Sequence, residues 1–456
     1  MPANLLKSSQ FGSVIAVLVI LLLSSFIQFS VITRTEVEYP LRADAGQYFL
    51  SAYNLSRFGT LSSQNTWQSK DAAQQPLPDA LRPPGYSLFL VSIGNLEPTA
   101  EFVSRVCRVQ AILAVLSVWL LFLIASTFLP RGWSHMAALL GAIDPHLAVM
   151  STYVLTETLF TFLLFGSVYC LLRAVRSRHV GLFFLTGILF GLCGLTRPTL
   201  QLLPVLALAI IALSPRLREW RKGAGLVLIG FLVVMSPSFL RNHWVPQNAP
   251  QSNLQANFLL HGSYPGFMYQ GDPTTFGVPY RFDPRVDGLG NSTTKTFAYI
   301  VERFRDQPAK YLNWYLIGKP GYFLAWANVQ GAGDILVYPV LHSPYLEEPG
   351  FVVLRRTMRL LHWPLMMLGM AGVGALWWRR QEKSSRRDGL IAGRLVSLVV
   401  IYALALHMIG APFPRYGIPF RPLLYPLALF LVYLLWSSLN QWRDDHGSGS
   451  TLPVTK

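Results

Sequence analysis

The feature that most constrains this chain is a succession of apolar runs, each near the roughly 20 residues that cross a bilayer as a helix. They lie near residues 13–32, 101–128, 133–150, 153–172, 180–196, 199–213, 224–240, 360–378, 390–410 and 421–437. The pattern predicts an all-α polytopic membrane protein with about ten transmembrane helices. The runs at 180–196 and 199–213 are short for that task. Of 456 residues, 52% are hydrophobic and only 13% charged, too few charges to clothe a soluble protein of this length. The first run follows Lys7, shows no small-residue cleavage site and is long for a signal peptide, so it reads as a retained span.

The formal charge of +16 would suggest nucleic acid in a soluble protein, but no compact basic domain exists to hold it, and that partner is excluded. Much of the charge sits in short loops instead: Arg131; Arg173, Arg176 and Arg178; Arg216, Arg218, Arg221 and Lys222; Arg379, Arg380, Lys383, Arg386 and Arg387. The positive-inside rule makes that side cytoplasmic and puts both termini there. Residues 1–440 then form one transmembrane domain, with 441–456 a polar cytoplasmic tail. Two long segments, 33–100 and 241–359, face outward, and loops of that length usually carry function. Cys107, Cys170 and Cys193 all fall in apolar runs and form no disulfide framework.

In the first outer loop, residues 44–59 read as a short amphipathic helix. Residues 82–94 read as a second, with Pro83 and Pro84 at its start, where proline is tolerated. Both are too short to span and are expected along the interface. A similar aromatic stretch covers 311–326.

Four constellations could carry chemistry. Asp44 follows Arg42 and precedes Tyr48; it is either a helix cap or a carboxylate placed to take a proton from a hydroxyl. Arg82, before Pro83, Pro84, Gly85 and Tyr86, either snorkels or holds a phosphate through two parallel hydrogen bonds. Arg197, between Thr196 and Pro198, is a charge between two apolar runs, and Glu157 is one a few residues into its span. Such charges need a partner or a ligand, and a structural Glu157–Arg197 bridge is one solution. Arg415, Tyr416 and Arg421 lie between the last two spans on the outer side, against the charge trend, which suggests a bound anion. Lys319 is a further outer cation beside aromatic residues. His243, His261, His342 and His407 lack the close spacing of a metal pair.

Taken in order, these pieces resemble the GT-C superfamily of polyprenyl-phosphate-sugar glycosyltransferases, particularly the branch of protein O-mannosyltransferases and lipid A aminoarabinose transferases. The resemblance covers most of the chain. It rests on Asp44, Tyr48, Ala52, Leu55 and Gly59; on Arg82 to Tyr86; on Thr156 and Glu157; on Thr196 to Pro198; and on Arg415, Tyr416 and Pro419. It implies a GT-C-like bundle with outward-facing interfacial helices and a lipid groove. It also implies transfer of a sugar from a polyprenyl-phosphate donor, inverting at the anomeric carbon, to a lipid, glycan or protein acceptor. Asp44 would be the catalytic carboxylate. Arg82, Tyr86, Arg197, Lys319, Arg415 and Tyr416 would bind donor phosphate, with Arg42, Tyr48 and Glu157 in support. Where many relatives carry Asp-Glu, Asp44 is followed by Ala45. Leu81 likewise stands where the aminoarabinose transferases have an acid. A divalent metal is therefore disfavoured and no cofactor is expected.

The rival reading is a multi-span transporter or flippase of lipid-linked sugar, which would also explain charges within the membrane. Such folds often show two symmetric halves, and the sequence shows none. A glycan ligase taking a pyrophosphate-linked donor is a further alternative. The expected location is a bacterial inner membrane, with the site facing the periplasm.

Overall fold

A computed structural model describes residues 3–67, 75–245, 253–379 and 384–447. Arg380, Lys383 and the tail beyond Gly447 lie outside the described residues. The chain is an integral membrane protein, and mostly helical. Among the described residues seven helices are long and apolar enough to cross a bilayer: Phe11–Arg34, Ala100–Ala125, Glu157–Ser177, Pro215–His243, Pro349–Trp378, Asp388–Ile409 and Arg421–Asp444. Val180–Thr196 and Pro198–Leu213 are apolar but shorter.

Length alone therefore supports seven of the expected ten or so spans among the described residues. The run at 133–150 is two helices, Arg131–Ala142 and Pro145–Met150. Asp144 breaks it by accepting the His146 backbone N–H at 2.9 Å, with Pro145 fixing the first position of the new helix. The next run starts as helix only at Glu157.

Glycines set the closest packing. A β-carbon on Gly187 would stand 2.1 Å from the Val227 carbonyl oxygen, and one on Gly230 would stand 2.3 Å from that of Phe184. The helices Val180–Thr196 and Arg221–His243 therefore touch backbone to backbone, as small residues allow between membrane helices. Gly372 does the same against Leu427, drawing Pro349–Trp378 onto Leu424–Gly447.

The two short helices expected in the first long loop exist as Ala43–Phe58 and Gly85–Ile93. Gly59 closes the first in the left-handed conformation, φ 68°, where glycine has no steric penalty. Glu36–Val37 pairs antiparallel with Val340–His342, tying the start of the first long loop to the end of the second. Both loops thus gather at one end of the bundle.

Candidate active site

Helix connectivity brings the first pair together. Glu157 opens the helix Glu157–Ser177, and Arg197 caps the end of Val180–Thr196, which returns alongside it. The start of one helix therefore meets the end of the other. Arg197 Nη1 donates to Glu157 Oε1 at 2.8 Å. The other end of the hairpin carries Arg173, Arg176 and Arg178, so the pair lies at the end of the bundle away from these basic residues.

Arg415 sits on the one-turn helix Pro414–Gly417. Its Nε donates to the same Glu157 Oε1 at 2.5 Å and its Nη1 to Asp44 Oδ2 at 3.1 Å. Asp44 lies in the first turn of Ala43–Phe58, where the helix dipole favours a negative charge. Its other oxygen accepts from Arg82 Nη2 at 2.6 Å, while Arg82 Nε donates to Gln47. Arg82 is brought there because Gly85 is pressed onto the end of the Val180–Thr196 helix. A β-carbon at Gly85 would stand 2.7 Å from the Leu195 carbonyl.

The result is a continuous chain: Arg82, Asp44, Arg415, Glu157, Arg197. Three guanidiniums face two carboxylates, leaving one net positive charge. The two acids are not equivalent. The Glu157 side chain is 0% exposed and Asp44 is 32% exposed. Burial would raise the Asp44 carboxyl, but Arg415 and Arg82 more than offset it and hold it below the usual carboxylate value. Glu157 Oε2 is buried with no hydrogen-bond partner among the described residues.

Aromatic rings floor the chain. The Arg82 guanidinium lies 5.6 Å from the Tyr48 ring centroid and that of Arg197 4.9 Å from Tyr416. Arg42 stands 5.7 Å from the ring of Tyr338.

Residues 82–240 match the family described as dolichyl-phosphate-mannose-protein mannosyltransferase. Over that segment, about a third of the chain, the sequence is similar to this family. The match contains Arg82, Glu157 and Arg197 but stops short of Asp44 and Arg415, which the fold brings to it from either side. No curated protein sequence matches the chain. Among solved structures it is similar to the oligosaccharyltransferase AglB from Archaeoglobus fulgidus in complex with an inhibitory peptide and a dolichol-phosphate. There the TM-score is 0.50 at 14% identity, over 98% of this chain and 53% of that one. It is also similar to ArnT from Cupriavidus metallidurans bound to undecaprenyl phosphate, with TM-score 0.47 and 15% identity over 97% and 66%. The chain spans about half the length of the oligosaccharyltransferase, 53%, and at these identities the likeness is one of fold.

Of the residues singled out in the sequence, Asp44, Tyr48, Arg82, Glu157, Arg197, Arg415 and Tyr416 converge. Two stand apart. Tyr86 is fully buried behind the site, its hydroxyl donating to Gln110 at 2.8 Å. Lys319 is also fully buried; its Nζ donates to the Ile409 carbonyl at 3.1 Å and lies 3.3 Å from the Tyr315 ring centroid. Arg421, read with Arg415 as part of an anion site, is buried and bonded to backbone carbonyls. Two residues escaped the sequence reading. Gln47 lies three positions after Asp44, one helical turn on, and the sequence reading gave it no role. Tyr338 comes from the irregular second loop, where no spacing signals a role. Among the described residues no three His, Cys, Asp or Glu side chains converge as a metal cluster.

Proposed function

We propose that this chain is a glycosyltransferase that moves a sugar from a polyprenyl-phosphate donor to a nucleophilic acceptor on the outer face of a membrane. The observation that carries the reading is the Arg82–Asp44–Arg415–Glu157–Arg197 chain, in which a partly exposed carboxylate is flanked by cations. Arginine suits phosphate because its planar fork meets two oxygens at once.

In this scheme the donor phosphate takes Arg82 and Arg415, with Arg197 and Tyr416 closing the far side. Asp44, released from its two guanidiniums, accepts the acceptor's proton as the new bond to the anomeric carbon forms on the face opposite the phosphate. The bond from that carbon to the phosphate oxygen breaks, and the lipid phosphate leaves with the electron pair, its charge neutralised by the arginines. Inversion follows from a single displacement. Glu157 is too buried for this proton and instead holds Arg197 and Arg415 in place. The basic loops at the opposite end of the hairpin favour a cytoplasmic position for that end, both termini included. The site then faces outward, the periplasm if the membrane is a bacterial inner membrane.

The test is to give the purified chain a radiolabelled polyprenyl-phosphate sugar with candidate lipid, glycan and protein acceptors. Release of polyprenyl phosphate together with label on an acceptor supports the reading. Movement of intact donor across a vesicle membrane without cleavage overturns it in favour of a flippase.

A further inference from the structure

The segment Pro308–Asn313, Trp314–Gly318 and Lys319–Leu324 forms one continuous helix of the second long loop, with a π turn in its middle. A helix end leaves carbonyls without internal partners, and buried ones must be met by donors from elsewhere. Here they are met in sequence by side chains from three different parts of the bundle. Arg421 Nη2 donates to the Phe323 carbonyl at 3.4 Å. His362, inside Pro349–Trp378, has Nε2 2.6 Å from the Leu324 carbonyl. His146, in Pro145–Met150, has Nε2 2.8 Å from the Trp326 carbonyl. A carbonyl only accepts, so both imidazoles carry their proton on Nε2. All three side chains are nearly inaccessible to solvent.

Arg421 also ties this end to the site. Its Nη2 donates to the Pro414 carbonyl at 2.5 Å, and Pro414 begins the turn that bears Arg415 and Tyr416. The other end of that turn, Gly417, approaches so closely that a β-carbon would stand 2.0 Å from the Phe323 carbonyl oxygen and 3.3 Å from Arg421 Nε. Arg421 Nε and Nη1 have no hydrogen-bond partners among the described residues. The only bonds this buried guanidinium makes among them are thus to the two backbone segments it joins.

We propose that Arg421, with His362 and His146, is a positioning residue: it clamps the end of the 308–324 helix to the Arg415–Tyr416 turn and so sets the reach of Arg415 into the ion-pair chain. The clamp rests on the functional reading above only for its consequence, the affinity for a phosphate-bearing lipid.

Hydrogen–deuterium exchange of the full chain in detergent tests it, with undecaprenyl phosphate as the binding probe. Removing one buried charge-assisted donor from both carbonyls should speed exchange about tenfold at the amides of Ala325, Tyr416 and Phe420 together in Arg421→Gln. Amides of the helices Val180–Thr196 and Arg221–His243 should stay protected, affinity for the probe should weaken, and Arg421→Lys should recover part of both effects. Gly417→Ala and His362→Asn attack the same joint from its other sides, so a poorly folding Arg421 variant does not end the test. Unchanged exchange in either segment, or loosening spread through the whole bundle, overturns the clamp. If the unmodified protein fails to bind the probe, the functional reading fails while the exchange pattern still decides on the clamp.

Discussion

Asp44 and Glu157 share a single guanidinium: Arg415 reaches Glu157 through Nε at 2.5 Å and Asp44 through Nη1 at 3.1 Å. The shared group makes the acids interdependent. Whatever draws Arg415 away from one changes the charge seen by the other, and an arriving phosphate competes with both.

Asp44→Asn should separate binding from turnover. The amide keeps the side chain's size but takes no proton, and loss of a general base costs about 100- to 10,000-fold in rate. Losing a competing charge beside Arg82 and Arg415, the variant should bind undecaprenyl phosphate at least as well as the parent. Product formation and lipid binding, measured on the same preparation, check this; retained turnover would remove Asp44 from its role.

The same residue gives an acid limb to stability. Its carboxyl is held below the ordinary value, so the unfolded state binds more protons as pH falls toward that value. The stabilisation is therefore complete above the unfolded carboxyl's value, near about 4, and is lost as pH falls through the lower folded one. Asp44→Asn should flatten that part of the profile, read as the change in thermal midpoint between neutral and acidic buffer.

Glu157→Ala should destabilise far more than a surface exchange. It removes a fully buried carboxylate that meets Arg197 at 2.8 Å and Arg415 at 2.5 Å, and stripping one partner from a buried pair costs about 3–5 kcal/mol. Unfolding in detergent measures the loss. Added phosphate-bearing lipid should restore more of it here than in the parent, because Arg197 then loses its carboxylate partner and Arg415 keeps only Asp44, which it shares with Arg82.

How much of this was legible in the sequence follows from the reach of each signal. Run length revealed the membrane class, and Gly59 marked the end of its helix, because both are local. Asp144 hid a helix break inside an apolar run, since a cap and a proline alter the backbone without altering hydropathy. Asp44 and Arg415 stand 371 positions apart, and nothing in their spacing pairs them; loop charge put both on the outer side, and only family order joined them in one site. Lys319 and Arg421 looked like outer cations because sequence shows charge, not the carbonyl a buried side chain has found.

Gly187→Val tests whether helix packing carries the site. Its β-carbon would collide with the Val227 carbonyl at 2.1 Å, forcing apart two helices of which one ends in Arg197. Overpacking costs about 1–3 kcal/mol. Stability should fall by that amount and affinity for undecaprenyl phosphate should fall with it, whereas Gly166→Val, which meets nothing within 4 Å, should leave affinity unchanged.

Lys319 provides the last test, because its burial predicts the opposite of a phosphate ligand. Burial pushes the ammonium down to about 6, against about 10.4 in an unfolded chain. Between these values the unfolded state holds a proton that the folded state has released, so this residue makes stability rise with pH. Below about 6 both states are charged and the contribution is flat. Lys319→Met should remove that slope, so the parent gains on the variant as pH is raised from about 6 to 9, seen in paired thermal midpoints. At about pH 8 the folded side chain is a neutral amine, and the variant should bind undecaprenyl phosphate within about twofold of the parent. A large loss of affinity there would return Lys319 to the phosphate site beside Arg82 and Arg415.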